Sequence, residues 1–159
     1  MNLKIRPVSV SDRTALIKIL ENTPEFKPSE IVIAKEVLDS CLKDTVNSGY
    51  FFLVVEDNNK VAGYICYGPA PLTDGTWDIY WEAVAQGKRG LGIGSSLIKA
   101  AEKEIIKSGG RLLLVETSST AAYAKTRQFY KRHGYIEIAR VPDFYEPGDD
   151  KLILQKKVK

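Results

Sequence analysis

The sequence predicts an α+β (mixed α/β) fold: a central mixed, largely antiparallel sheet flanked by helices on both faces. Three observations lead there. Short apolar runs rich in β-branched and aromatic residues alternate with segments of helical spacing. Turn signals place antiparallel pairs in the middle and at the end of the chain. One β-α-β crossover, between Trp77 and Thr117, supplies a parallel pair. The 159 residues fit a single domain with its own core, and no repeat, linker or low-complexity stretch divides them. One domain over 1–159 is the expectation.

The elements follow in order. Leu3 to Val8 is a first strand. Asp12 stands at an N-cap position before Ala15, Leu16, Ile19 and Leu20, which share one helical face. The stretch TPEFKP breaks that helix, and Ser29 is the expected N-cap of a second, with Ile33, Val37, Cys41 and Leu42 as its apolar stripe. Phe51 to Glu56 and Lys60 to Tyr67 form a hairpin about Asn58-Asn59. Gly68 to Gly75 is a loop, and Trp77 to Val84 a fourth strand. A glycine-rich turn, Gln86 to Gly94, opens a helix with Leu97, Ile98, Ala101, Ile105 and Ile106 on one face. Ser108-Gly109-Gly110 closes it. Leu112 to Thr117 is apolar enough to be buried on both faces. A helix of about three turns then runs around Tyr123 to His133, with Gly134 as its C′ residue. Tyr135 to Val141 and Lys151 to Lys156 are the last strands, joined by the loop DFYEPGDD.

Composition excludes several classes. The net charge of +3 is too small to argue for nucleic acid or membrane. Cys41 and Cys66 form no CxxC, and with His133 the only histidine no zinc set can be assembled, so no metal is expected. The first residues hold no apolar signal core, and no apolar run spans a bilayer. A cytoplasmic location is the default reading.

The informative segment is strand, QGKRGLGIGS, helix. A helix N-terminus has free N–H groups and a partial positive charge, and glycines let a phosphate come close. Lys88 and Arg89 add charge beside it. A plain glycine-rich turn is the bland alternative. Gly87-Lys88 is followed by Arg89, so a Walker A loop fails, and Ser95 stands where GxGxxG needs its last glycine.

What remains, Arg89-Gly90-Leu91-Gly92-Ile93-Gly94, resembles the acetyl-CoA pyrophosphate loop (Q/R-x-x-G-x-G/A) of the GNAT superfamily of N-acetyltransferases. DIYWEAV resembles that family's fourth strand, and Phe129-Tyr130-Lys131-Arg132-His133-Gly134-Tyr135 its FYxxxGF signature. The segments come in the family's order, and the element order agrees over the whole chain. ETSST, the following tyrosine, TR and FY, with DFYEPGDD, look like a subset that acts on small amino compounds.

The resemblance implies a GNAT-like acyl-CoA N-acyltransferase fold, acetyl-CoA as donor and a small-molecule primary amine, such as an amino acid, as acceptor. It implies that Arg89, Gly90, Gly92 and Gly94 cradle the pyrophosphate, with backbone donors at Leu91, Ile93 and Ser95. Main-chain groups of Ala83 and Val84 would pair with the pantetheine arm in an opening between the fourth and fifth strands. Tyr130 would protonate the departing thiolate. Asp78, Tyr80, Glu82 and Val84 alternate along one strand and so share a face; Asp78 is the favoured base, with Glu82 and Glu116 behind it. The four carboxylates of DFYEPGDD form either an acidic rim for an ammonium group or a solvated turn. His133, beside Gly134, is assigned no chemistry. Many relatives dimerise, which leaves a homodimer open. A peptide or protein amine as acceptor, and a non-catalytic acyl-CoA sensor, are the alternatives.

Overall fold

The computed structural model describes residues 1–158. Seven strands form one sheet: β1 (Leu3–Pro7), β2 (Phe51–Asp57), β3 (Lys60–Pro69), β4 (Thr76–Val84), β5 (Leu112–Ser118), β6 (Ile136–Glu146) and β7 (Asp149–Lys157). Their order is β1-β2-β3-β4-β5-β7-β6, antiparallel throughout except for the central β4–β5 pair. Helices α1 (Arg13–Glu21), α2 (Pro28–Lys43) and the short α3 (Thr45–Ser48) precede the β2–β3 hairpin. Helix α4 (Ile93–Lys107) is the β4–β5 crossover, and α5 (Ala124–Arg132) follows β5.

The expected mixed sheet is therefore present, and its core has two halves. On one face Leu97, Ile98, Ala101 and Ile105 of α4 pack with Tyr130 and Tyr135 against Leu53, Ile65, Ile79, Leu113 and Val115. On the other, Leu16 and Leu20 of α1 and Val37, Leu38 and Cys41 of α2 pack against Phe52, Val54, Tyr64 and Cys66. Strands β2 and β3 are buried on both faces because helices cover both.

Several sequence expectations are corrected. Helix α2 starts one residue before Ser29: Pro28, with its preset φ, takes the first helical position, Lys27 is the N-cap, and Glu30 accepts the Lys27 N–H at 2.7 Å. Asp12 stands before α1, but its carboxylate turns back to the Ser9 N–H (2.7 Å) and the Arg6 guanidinium (2.7 and 2.8 Å). Ile106 lies outside the apolar face of α4 and is 43% exposed. Strand β5 is buried on one face only, since Leu114 and Glu116 line a cavity. The last hairpin is longer than expected. Most of DFYEPGDD belongs to β6 and β7, and Pro147-Gly148 is its turn, with Gly148 at φ 86°. A register shift between Val141 and Glu146 absorbs the rest.

No helix is long and apolar enough to cross a membrane among the described residues.

Candidate active site

Strands β4 and β5 pair only from Thr76–Ile79 against Leu112–Val115. Beyond that they part, because β4 stays with β3 as far as Val84 while β5 stays with β7 as far as Ser118. The C-terminal half of β4 thus has an unpaired edge. A cavity of about 1130 Å³ opens there, and α2, α4, α5 and the β6–β7 hairpin complete its walls.

One end of the cavity is the glycine turn. Gly87, Gly90 and Gly92 have φ of 84°, 78° and 80°, a conformation that glycine reaches without strain. Helix α4 begins immediately after. Its first bond runs from the Ser96 N–H to the Gly92 carbonyl at 3.1 Å, and the N–H groups of residues 89–95 donate to no protein acceptor among the described residues. Gly94 packs close to β4 and α5. A Cβ there would stand 2.5 Å from Glu82 Oε1 and 3.4 Å from the Phe129 ring. The cradle therefore has the free donors, the close backbone approach and the open strand edge that an acyl-CoA needs, and it fits one.

Strand β4 carries a feature absent from the sequence reading. Cys66 pairs with Trp81 but Tyr67 pairs with Ile79, so Tyr80 is an extra residue, a β-bulge. The bulge reverses the alternation. Trp77 and Ile79 point to the α4 side, Tyr80, Trp81 and Ala83 to the α2 side, and Val84 to the α4 side again. Asp78 and Glu82 therefore lie on opposite faces. That corrects the expectation that Asp78, Tyr80, Glu82 and Val84 share one.

The α4 side is dry. Tyr130 is buried and packs edge-on against Phe129 (centroids 5.2 Å) and Tyr135 (5.3 Å). Burial, and then the nearby Glu82 carboxyl, push its phenol well above the ordinary tyrosine value. Burial also pushes the Glu82 carboxyl well above the ordinary 4.5. Glu82 Oε2 and Thr117 Oγ1 are buried without a hydrogen-bond partner among the described residues, and both residues line the cavity. Such orphans are rare in folded proteins.

The α2 side is acidic. Asp78 is half-buried, and burial followed by the Glu116 charge raises its pKa from the ordinary 3.8. Glu116 is held by Lys151 at 2.8 Å. Asp78 has no ion-pair partner among the described residues.

Of the residues singled out from the sequence, the cavity brings together Asp78, Glu82, Ala83, Val84, Arg89, Gly90, Gly92, Ile93, Gly94, Ser95, Glu116 and Tyr130. Leu91 is apart: its side chain is 47% exposed and does not line the cavity. Lys88 is turned away to Asp57 at 2.9 Å. His133 Nε2 lies 3.0 Å from Ser95 Oγ, and burial lowers its pKa, so it is less cationic than its helix-end position implied.

The sequence reading missed a strap, residues 23–27, four of which line the cavity. Glu25 meets Arg89 at 3.2 Å, the Tyr123 hydroxyl donates to the Glu25 carbonyl at 3.0 Å, and Lys27 reaches Glu146 at 3.7 Å. The stretch TPEFKP marked only the end of a helix, and nothing in it says where the strap lies. Arg127 was also missed. Its guanidinium donates to the carbonyls of Ser118 and Thr120, fixing the turn between β5 and α5.

The arrangement matches known proteins. The profile of the acetyltransferase (GNAT) domain matches residues 48–137. A protein of Methanocaldococcus jannaschii, described as an uncharacterized N-acetyltransferase, is 35% identical over 109 residues, which are 67% of this chain and 65% of that one; the match thus spans less than two thirds of the relative's length. A crystal structure of a protein assigned to the GNAT acetyltransferases, from Desulfovibrio desulfuricans, is 37% identical and superposes with a TM-score of 0.96 over 99% of this chain and 100% of that one. An N-acetyltransferase from Thermoplasma acidophilum, solved with coenzyme A, shares the fold at 19% identity, with a TM-score of 0.78 over 99% of each chain. A helix N-terminus open to phosphate beside two parted parallel strands, set in this sheet order and matched in sequence and in structure, makes the chain a member of the GNAT acetyltransferase family.

Proposed function

We propose that the protein, as one domain, transfers an acetyl group from acetyl-CoA to the primary amine of a small molecule by direct attack on the thioester. The observation that carries this reading is the parting of β4 from β5 beside the uncapped N-terminus of α4, with Asp78 on one side and Tyr130 on the other. The coenzyme A bound by the Thermoplasma relative supports the same donor.

In this reading Arg89, Gly90, Gly92 and Gly94 surround the pyrophosphate, with the N–H groups of Leu91, Ile93 and Ser95 as donors. Arg89 first leaves Glu25. The free edge of β4 at Ala83 and Val84 takes the pantetheine arm as a neighbouring strand, and a backbone N–H near Val84 polarises the thioester carbonyl. Asp78 removes a proton from the acceptor ammonium, the amine attacks the carbonyl carbon, the C–S bond breaks as Tyr130 gives its proton to the thiolate, and the second proton that the nitrogen loses in becoming the amide passes to solvent, from which Tyr130 is reprotonated. Of the other carboxylates, Glu116 is already paired with Lys151. Burial favours the neutral acid in Glu82, which serves a base poorly. Cys41 and Cys66 are buried with raised pKa values and do not line the cavity, which favours direct attack over a covalent cysteine intermediate.

The strap favours a small acceptor over a peptide. Tyr123 and Lys27 tie it to neighbouring walls, whereas a peptide acceptor needs an open groove. Thiol release from acetyl-CoA, measured across diamines, amino acids, amino sugars and peptides with Tyr130→Phe in parallel, tests the proposal. Turnover of a small amine that falls sharply in the variant supports it. Turnover of peptides alone gives the acceptor a different class, and coenzyme A binding without any turnover indicates a sensor.

A further inference from the structure

We propose that the acceptor carries at least one ammonium group besides the one acetylated, and no carboxylate. The inference rests on the acetyltransferase reading of the cavity and names the chemistry of its second substrate.

Five carboxylates line the acceptor side: Glu30 of α2, Asp78 of β4, Glu116 of β5, and Glu146 and Asp149 at the hairpin turn. Two lysines answer them. Lys151 sits on Glu116 at 2.8 Å, and its ammonium is also covered by the Phe144 ring at 4.2 Å. Lys27 reaches Glu146 at 3.7 Å. Glu30, Asp78 and Asp149 have no cationic partner among the described residues. Asp149 is buried, and Ser118 Oγ donates to it. Glu30 is exposed and accepts the Lys27 N–H, so it only adds negative charge to the wall; Asp78 and Asp149 are half-buried and buried, where a carboxylate without a counter-charge is costly and a ligand cation relieves that cost.

Tyr80, Tyr123 and Tyr145 line the same side. Burial raises all three phenols, so they stay neutral and present ring faces suited to ammonium groups. The remaining lining cations are on the glycine turn and on α5. Lys88 and Arg89 stand at the glycine turn and are already paired, and Lys125 and Arg132 belong to α5.

These charges decide the class. An amino acid would bring its carboxylate among five others, where the two neighbouring lysines, Lys27 and Lys151, are already paired. A monoamine would answer one carboxylate and leave the rest. A molecule with two or more ammonium groups places one near Asp78, at the parting of the strands, and holds the others against Glu30 and Asp149. The proposal departs from the amino acid expected from the sequence. Linear polyamines and amino sugars both have the required chemistry.

Three probes of matched length test it: 1,5-diaminopentane, pentylamine and 5-aminopentanoate. Each is titrated calorimetrically into the full chain saturated with coenzyme A, at low ionic strength, where charge contacts are least screened. The diamine is expected to bind at least about tenfold tighter than pentylamine, and 5-aminopentanoate more weakly than either. Glu30→Gln keeps the acceptor for the Lys27 N–H, so the helix cap survives, and it should shrink the diamine's advantage without changing pentylamine binding. Asp149→Asn should do the same. Equal affinities, or tighter binding of 5-aminopentanoate, overturn the proposal. The same titrations into ligand-free protein read the acidic wall even if coenzyme A fails to bind, a result that would refute the acetyltransferase reading instead. Turnover of spermidine against kanamycin then separates a linear polyamine from an amino sugar, and turnover of neither, with an amino acid acetylated, also overturns it.

Discussion

Replacing Glu82 by glutamine should change how stability depends on pH. Glu82 is raised well above its ordinary pKa of 4.5 by burial, and its Oε2 has no partner. Below the ordinary value both folded and unfolded chains hold the proton. Above it the unfolded chain releases the proton while the folded chain keeps it, so unfolding releases one proton and stability falls as pH rises. The loss continues until pH passes through the folded pKa. Between the unfolded and the folded pKa its slope is at most about 1.4 kcal/mol per pH unit for one proton. For a chain of this size that corresponds to roughly 3–6 °C in melting temperature per pH unit. Glutamine keeps the shape and does not ionise. All other titrating groups are common to both proteins, so the difference between their melting curves isolates Glu82. Thermal unfolding of parent and Glu82→Gln across that range should show the variant gaining on the parent as pH rises. Curves that run parallel would mean that Glu82 is ionised and solvated in the folded chain, and the dry character assigned to the α4 side would be wrong.

Three further outcomes are expected. Tyr130→Phe should lower kcat by about a hundredfold while coenzyme A still raises the melting temperature, because the ring remains between Phe129 and Tyr135. The acidic limb of the kcat/KM–pH profile should lie above the ordinary carboxylate range, and Glu116→Gln should move it to lower pH, because the Glu116 charge helps to raise Asp78; a limb that stays in place in Glu116→Gln and survives in Asp78→Asn removes Asp78 from the base role. Glu25→Gln should tighten coenzyme A binding up to about fivefold, the worth of an exposed ion pair that Arg89 must otherwise break, and calorimetry showing no change would mean that Arg89 keeps Glu25 when the cofactor binds.

The parts legible in the sequence are those where residue type dictates backbone. Gly90 and Gly92 take left-handed φ, the Asn58-Asn59 turn does the same at 51° and 64°, and Gly134 ends α5 at 89°. Period and composition then located all seven strands and the four longer helices. The start of α2 was misplaced because Ser29 is a good cap in isolation, whereas Pro28 beside it has the stronger preference for a first helical position. The long hairpin was hidden because DFYEPGDD, with its four carboxylates, Pro147 and Gly148, reads as one loop, yet only Pro147 and Gly148 make the turn. The strap was illegible for a different reason. Its contacts, Glu25 with Arg89 and Tyr123 with Glu25, join residues 64 and 98 positions apart, and no local pattern encodes them.

The bulge at Tyr80 has the largest consequence for chemistry, and it too has no local signature, since it arises from pairing with β3. Acyl transfer to an amine needs a base that is ionised and an acid that is not. A strand of strict alternation would place Asp78 and Glu82 on one face with Glu116, where mutual repulsion would raise them together. The extra residue turns the second half of β4 over. Asp78 is left on the side that opens toward α2 and the acidic wall, where it can hold a charge and meet an ammonium group. Glu82 is carried to the side packed by α4 and α5, next to Tyr130, and there burial holds back ionisation of both the carboxyl and the phenol. Because the bulge falls where β5 departs, both sides open into the same cavity. One inserted residue thus puts two carboxylates of a single strand in different environments.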